Sequence, residues 1–155
     1  VPAGKFGGGL YVAGGAASLT HVTIATNATS GIHVQAGTIC ATNSILWGNG
    51  TDVVGSAALG FCSTGDDLPG EGNRRGDPLF AAPPIDFHLQ SKAGRWTPGG
   101  WVRDRAHSPC IDAGPRGAPV GLEPEPNGGR INLGAYGGTA QASLHLANGA
   151  LILIR

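Results

Sequence analysis

The feature that most constrains the fold is a repeat of 22 residues near the start of the sequence. When residues 9–27 are aligned with residues 31–49, five of the aligned positions are identical. The identical pairs are Gly9/Gly31, Val12/Val34, Gly15/Gly37, Thr20/Thr42 and Asn27/Asn49. A period in the low twenties is typical of a solenoid, in which each repeat forms one coil and packs on the next.

Both copies contain short runs of alternating residues, bounded by Gly, Ala, Ser and Asn. Such runs predict short strands separated by tight turns. The L-x-x-L-x-L frame of a leucine-rich repeat is absent from the sequence. We therefore predict an all-β fold, in which residues 7–65 form a parallel β-helix of about three coils.

Equivalent residues of successive coils should stack, because parallel strands lie about 4.8 Å apart. The repeat predicts two apolar pairs in the interior, Leu10 over Ile32 and Val12 over Val34. It predicts that four residues point outward, namely Tyr11, Thr23, His33 and Ile45.

Two turns of the repeat carry polar residues. Asn27 over Asn49 predicts a ladder of side-chain amide hydrogen bonds, which satisfies turn backbone that would otherwise be buried and unpaired. At the other turn, His21 takes the place that Asn43 has in the next coil. We expect His21 to serve there as a turn residue in place of an asparagine.

The sequence has three cysteines, Cys40, Cys62 and Cys110, and no pair has the C-x-x-C spacing of a zinc or thioredoxin-type motif. The 22-residue offset carries Cys40 onto Cys62 in a third, degenerate copy of the repeat. Stacked residues of parallel strands rarely have the side-chain directions that a disulfide requires. We therefore predict free, stacked thiols, and one disulfide with one free thiol is the alternative.

The repeat ends after Gly65, and the sequence favours one domain with three parts. Residues 66–143 read as a loop-rich cap with short strands, one of them over Asp86–Gln90. In the tail, residues 144–155, Asn148-Gly149 stands between alternating apolar runs, which is a strong hairpin signal. We expect a terminal hairpin from about Leu144 to Ile154.

Several motifs occur in one order along the chain: NSILWGN, GEGN, GDPLF, DFHLQSKAGRW, SPCIDAG and NGGRINLGAYGGTAQAS. Over residues 7–143 the sequence thereby resembles the C-terminal part of secreted bacterial right-handed parallel β-helix repeat proteins, the choice-of-anchor or pectate-lyase-like family. The resemblance implies a right-handed coil, an extracellular or cell-surface location, and a superfamily rich in enzymes and binders that act on polysaccharides. It also implies that Asp77 and Asp112 hold cap turns through side-chain-to-backbone hydrogen bonds.

Composition excludes several classes of function. Lys+Arg and Asp+Glu both number 10, and no basic stripe of the kind that nucleic-acid binding requires is visible. No apolar run approaches the roughly 20 residues of a membrane span. Because the sequence begins without Met or a signal sequence, we expect a processed product or a piece of a longer protein.

Candidate catalytic residues are few. Polysaccharide lyases of this fold use acidic calcium ligands and a basic residue on an outward strand face, and the outward positions of the clear coils offer neither. Glycoside hydrolases use two carboxylates. Asp66 and Asp67, with Glu71 in the same loop, are the available group, and a solvated turn is the competing interpretation.

Three further groups are candidate ligand sites. Tyr11 and His33 would form an outward ladder on which sugar rings stack, or ordinary surface. Trp96 and Trp101 flank TPGG, where they either clamp a loop or contact a ligand. An oxygen-rich loop suggests calcium as a cofactor, although it lacks the EF-hand frame, and it contains Glu123, Glu125 and Asn127.

Two functions from different classes follow. The first is an extracellular, non-catalytic β-helix module, structural or carbohydrate-associated, which also self-associates because the first coil, residues 7–12, exposes strand edges. The second is a polysaccharide-active enzyme, a lyase or glycoside hydrolase, or a fragment of one. We favour the module, because the cap motifs are closures and no outward face carries a catalytic set.

Overall fold

A computed structural model describes residues 8–147, and within that range the chain is all β, without a helix. The strands are β1 (Leu10–Val12), β2 (Ala16–Thr20), β3 (Thr23–Ala25), β4 (Ser30–Val34), β5 (Thr38–Thr42), β6 (Ile45–Trp47), β7 (Thr51–Val54), β8 (Ala57–Gly60), β9 (Ser63–Thr64), β10 (Arg74–Arg75), β11 (Phe80–Ala82), β12 (Asp86–Leu89), β13 (Arg95–Thr97) and β14 (Gly100–Val102). No helix in that range is long and apolar enough to cross a membrane.

The first nine strands form coils, because each coil gives one strand to each of three parallel sheets. The sheet orders are β1-β4-β7, β2-β5-β8 and β3-β6-β9-β10. Leu10 pairs with Ile32 and Tyr11 with His33, so the predicted 22-residue register is confirmed. Parallel pairing of successive coils is consistent with a β-helix-like solenoid.

The third coil is shorter than the second, because the turn between β7 and β8 is shorter. Ile39 pairs with Ala57 and Ile45 with Ser63, an offset of 18 residues instead of 22. Cys40 therefore lies beside Ala58, and the prediction that Cys62 stacks on Cys40 is wrong. Both thiols are free, as predicted; that of Cys40 is exposed and that of Cys62 is buried.

The predicted asparagine ladder is present and ends on a carboxylate. The Asn27 amide donates to Oδ1 of Asn49 at 2.9 Å, and the Asn49 amide donates to Oδ1 of Asp52 at 2.9 Å. Asp52, only 2% exposed, also accepts hydrogen bonds from the backbone N–H groups of Gly65 and Asp66. A carboxylate suits this end of the ladder, because it only accepts hydrogen bonds.

The second turn is left-handed in all three coils. His21, Asn43 and Phe61 have φ values of 54°, 51° and 51°. This confirms that His21 occupies the turn position of Asn43, and it places Phe61 at the same turn in the third coil. The turn projects away from the apolar interior, which contains Val12, Ile32, Val34, Ile39, Ala41, Leu46, Leu59 and Cys62.

The cap has a core of its own, formed against the outer face of the β3-β6-β9 sheet. Its buried members are Ile45, Phe80, Leu89, Cys110, Ile111, Ala113 and Leu133. Ile45 does belong to the outward set, but it is only 1% exposed, because the cap covers this face of the sheet. Neighbouring Leu46 faces the solenoid interior, so β6 contributes to both cores.

The cap strands pair antiparallel, β11 with β12 and β13 with β14. Oδ1 of Asp77 accepts a hydrogen bond from the Leu79 N–H at 2.8 Å, as expected for a turn. Asp112 differs: its carboxylate bonds to the His145 imidazole, and its Oδ1 has no partner. Residues 144–147 are not in a strand, and the rest of the expected hairpin lies outside the described residues.

Candidate functional site

A cleft lies where the third coil meets the cap. It has a volume of about 550 Å³ and is lined by Phe61, Glu71, Gly72, Pro115, Arg116 and Arg130. Clefts of roughly 300–1,000 Å³ are the usual size for small-ligand sites. It is the larger of two cavities found in the described part of the chain that merit mention, since the other, about 260 Å³, is lined mainly by apolar and small residues beside Leu68.

The left-handed turn places the Phe61 ring in the cleft wall. The Phe61 N–H donates to the Glu71 carbonyl oxygen at 2.7 Å, which fixes the neighbouring loop against the turn. Gly72 lies directly over the ring, since a Cβ there would come within 2.4 Å of Phe61 Cδ1. Glycine at position 72, with φ +66°, is therefore required for this close approach.

Two guanidinium groups line the opposite wall. Arg130 is half-buried, and its guanidinium donates to the Gly114 carbonyl oxygen, through Nε at 3.0 Å and through Nη2. Arg116 and Glu71 are exposed. The cleft thus combines an aromatic ring, two permanent cations and one carboxylate, which suits a ring-shaped ligand with hydroxyl or acidic groups.

The three predicted catalytic carboxylates are not brought together. Oδ2 of Asp66 accepts a hydrogen bond from the Asp52 N–H at 2.7 Å, so this carboxylate holds a turn. Asp67 is exposed and does not line the cleft, whereas Glu71 does. The described lining therefore presents one carboxylate, where a glycoside hydrolase normally uses two.

Tyr11 and His33 stack on the outside of the β1-β4 pair, with their ring centroids 5.3 Å apart and edge to face. The Tyr11 hydroxyl donates to Oε1 of Gln35. Both side chains are half-buried, and neither lines the cleft. A ladder that binds sugar rings stays a prediction.

Trp96 and Trp101 face each other across the β13–β14 hairpin. Trp96 stacks on His88 with ring centroids 5.5 Å apart, whereas Trp101 is 46% exposed. Trp96 is therefore placed to clamp the hairpin, and Trp101 offers its ring to solvent. The two tryptophans have different surroundings, although the sequence treats them alike.

The predicted calcium ligands bond mainly to one another and to the backbone. The Glu125 carboxylate accepts from the Asn127 amide at 3.0 Å, and Oε1 of Glu123 accepts from the Asn132 and Gly138 N–H groups. Burial, opposed by those two backbone bonds, raises the pKa of the Glu123 carboxyl. Among residues 8–147 no three His, Cys, Asp or Glu side chains are placed to hold a metal ion, and calcium here stays a prediction.

Sequence reasoning missed Phe61, Arg116 and Arg130. Phe61 aligns with His21 and Asn43 only when the offset of the third coil is known to be 18 residues. The two arginines stand in cap loops more than 50 residues away from Phe61 in sequence, and no local pattern links them to it. The turn position was the one available signal, because an aromatic residue is uncommon at positive φ.

The fold and the cleft together define an all-β protein of parallel sheets with a ligand-sized cleft at the junction of repeat and cap. A family model described as "Disaggregatase related" matches residues 23–114, more than half of the chain. The chain belongs to this disaggregatase-related family. The match runs from β3 through Gly114, so it includes Phe61 and Glu71, and Arg116 and Arg130 lie beyond it. Comparisons with curated proteins and with solved structures gave no match.

Proposed function

We propose that this chain is a non-catalytic module of a right-handed parallel β-helix, located outside the cell or on its surface, that binds polysaccharide in the Phe61 cleft. The observation that carries the proposal is the lining of the cleft, where one aromatic ring lies opposite two guanidinium groups. The three parallel sheets support the β-helix, and the resemblance to secreted β-helix proteins supports the location.

The chemistry of the lining fits a sugar better than an apolar ligand. The Phe61 ring and Pro115 provide apolar surface for the C–H face of a pyranose. Arg116 and Arg130 provide donors for hydroxyl, carboxylate or sulfate groups, and Glu71 accepts from hydroxyls. Because Arg130 is held by the Gly114 carbonyl, little side-chain entropy is lost when it binds a ligand.

Binding is tested with a panel of polysaccharides, neutral and acidic, with and without calcium. We expect Arg116→Ala to weaken binding about tenfold, since a charge-assisted hydrogen bond contributes roughly 1.5–3 kcal/mol. Phe61→Asn removes the ring while keeping a residue that Asn43 shows to suit this turn. Arg105→Ala, an exposed arginine outside the cleft, is the control. Equal binding by all four proteins would contradict the proposal.

A polysaccharide-active enzyme is the second candidate, favoured by the position of Glu71 in the cleft. The test is release of oligosaccharides from the same panel. Activity that Glu71→Gln abolishes, or that Asp66→Ala or Asp67→Ala abolishes, would replace the module by a lyase or glycoside hydrolase. Binding without release of products supports the module.

Self-association is part of the proposal, because β1, β2 and β3 are the end strands of their sheets within the described residues. The opposite end is covered: the Asn73 amide donates to the carbonyls of Pro69 and Leu68, and this loop crosses beside Leu59. One open end favours a closed dimer over a filament. Light scattering of the 155-residue chain over a range of concentrations should show a dimer, and a strictly monomeric species would contradict it.

A further inference from the structure

The β13–β14 hairpin exposes a tryptophan that the cleft does not use. Trp101 is 46% exposed, and the adjacent Val102 is 39% exposed. Single exposed apolar residues are common, but an exposed indole at the centre of a rigid hairpin is a frequent feature of binding surfaces. Three aspects of its surroundings point to a binding role.

The first aspect is the rigidity of the hairpin. Arg95 in β13 donates to Asp86 at 2.9 Å and to Asp104 at 3.1 Å, so it ties the hairpin to β12 and to its own exit. Although burial opposes it, hydrogen bonds from His88 and the nearby Arg95 hold the pKa of the Asp86 carboxyl below its usual value. The pairs with Arg95 are therefore ionised and intact at neutral pH.

The second aspect is the aromatic stack beneath the hairpin. His88 lies between Trp96 and Tyr136, with ring centroids 5.5 Å and 3.5 Å away. Nδ1 of His88 bonds to Asp86 at 2.7 Å, which fixes the orientation of the imidazole. Trp96 is thereby held from below, and it is the cross-strand neighbour of Trp101.

The third aspect is the seat of the Trp101 ring. Gly94 lies under it, since a Cβ at position 94 would come within 3.5 Å of Trp101 Cε3 and 2.8 Å of Leu144 Cδ1. The indole is covered on the Gly94 side and open elsewhere. Arg103 and Arg105, both exposed, follow directly in the chain and provide hydrogen-bond donors near the ring.

We propose that Trp101 forms a second carbohydrate contact, separate from the Phe61 cleft, on which the flat face of a pyranose ring of a polysaccharide stacks. A preorganised indole with polar neighbours fits a sugar, which presents C–H groups and hydroxyls together. A protein partner would instead require a larger continuous apolar patch. The inference rests on the proposed carbohydrate association, but not on the cleft.

The test follows tryptophan fluorescence while one soluble polysaccharide that binds the chain is added. Trp47, Trp96 and Trp101 are the three tryptophans, and Trp101 is the most exposed of them. We expect a fluorescence change that Trp101→Ala removes and Trp96→Phe retains. Affinity should fall about threefold to tenfold in Trp101→Ala, the range expected from an aromatic contact of roughly 0.5–1.5 kcal/mol.

The same titration in the Phe61→Asn background separates the two proposals. A Trp101 response that survives there supports a second contact, whatever the cleft does. Binding that depends on Phe61 and is unchanged by Trp101→Ala overturns this inference and leaves the cleft standing. Binding that neither variant alters, or no binding to any polysaccharide by the unaltered chain, overturns both. Thermal unfolding of Trp101→Ala near that of the unaltered chain verifies that the variant is folded.

Discussion

The solenoid, residues 8–65, and the cap, residues 66–147, build their cores in different ways. In the solenoid the residues that stack are one coil apart, as Leu10 and Ile32 are. In the cap the core joins distant residues, such as Ile45 of β6 and Leu133. The repeat therefore produces regular, shallow outer faces, and the cleft forms only where the repeat stops.

The two regions also differ in how they satisfy buried polar groups. The ladder of Asn27, Asn49 and Asp52 bonds each amide to the next side chain. Buried side-chain atoms without a partner occur mostly in the cap or at the turn that it covers, and they belong to His21, Asn43, Arg74, His88, His107, Asp112 and Glu123. Departures from full hydrogen bonding concentrate at functional regions, so the cap is the place to search for function.

The comparison would break if the cap were a loose covering and not a second core. We expect Leu46→Ala in the solenoid and Leu133→Ala in the cap each to lower the free energy of unfolding by about 2–5 kcal/mol, because both side chains are at most 1% exposed. Urea unfolding, followed by circular dichroism and by tryptophan fluorescence, measures both.

One cooperative transition should be seen in both variants, because Ile45 and Leu46 are neighbours on β6 and face different cores. A separate early transition in Leu133→Ala, seen by fluorescence alone, would show that the cap unfolds by itself. Ala substitution of exposed Leu122, which is 74% exposed, is the control and should change stability little.

The hydrogen-bond ladder should contribute less than a core leucine. Asn49→Ala leaves the Asn27 backbone N–H, the Asn27 amide and the Ile24 carbonyl without their partner, so we expect a loss of about 1–3 kcal/mol. The matched cap variant is Asn127→Ala, whose side chain bonds mainly to its own loop. Equal losses for the two variants, measured by urea unfolding, would remove the distinction between ladder and loop.

How much the sequence predicts follows the same boundary. The period and the alternation were enough for the register of Leu10, Tyr11 and Val12, since stacking in a solenoid depends on neighbours one repeat away. The position of Cys62 was wrong, because a shorter turn changes the offset without leaving a pattern in the sequence. Ile45 was placed on the correct face, but nothing local indicates that a cap covers it.

The site shows this limit more strongly. Glu71 was named from its loop, and it does line the cleft, but its neighbours Arg116 and Arg130 come from loops that only the packing of the cap brings near. Trp96 and Trp101 were named together, and the structure separates them by exposure. Composition and spacing thus find residues with suitable chemistry, and long-range packing decides which of them meet.

The smallest expected effect compares one histidine from each region. Burial lowers the pKa of His21, and burial also lowers that of His107, although the nearby Asp112 charge opposes the shift there. Both imidazoles are therefore neutral in the folded chain at a pH where the unfolded chain, with a pKa near 6.5, begins to bind protons. Each histidine stabilises the fold above that pH, and its contribution is lost as the pH falls below about 6.5.

His21→Asn keeps a residue that Asn43 shows to suit the left-handed turn, and His107→Gln is the matched cap variant. We expect the melting temperature to fall less between pH 8 and pH 5 in both variants than in the unaltered chain. The effect should be larger for His21→Asn, because at His107 the carboxylate of Asp112 offsets part of the cost of burial. A greater effect of His107→Gln would mean that the cap, rather than the solenoid turn, holds the more strongly buried imidazole.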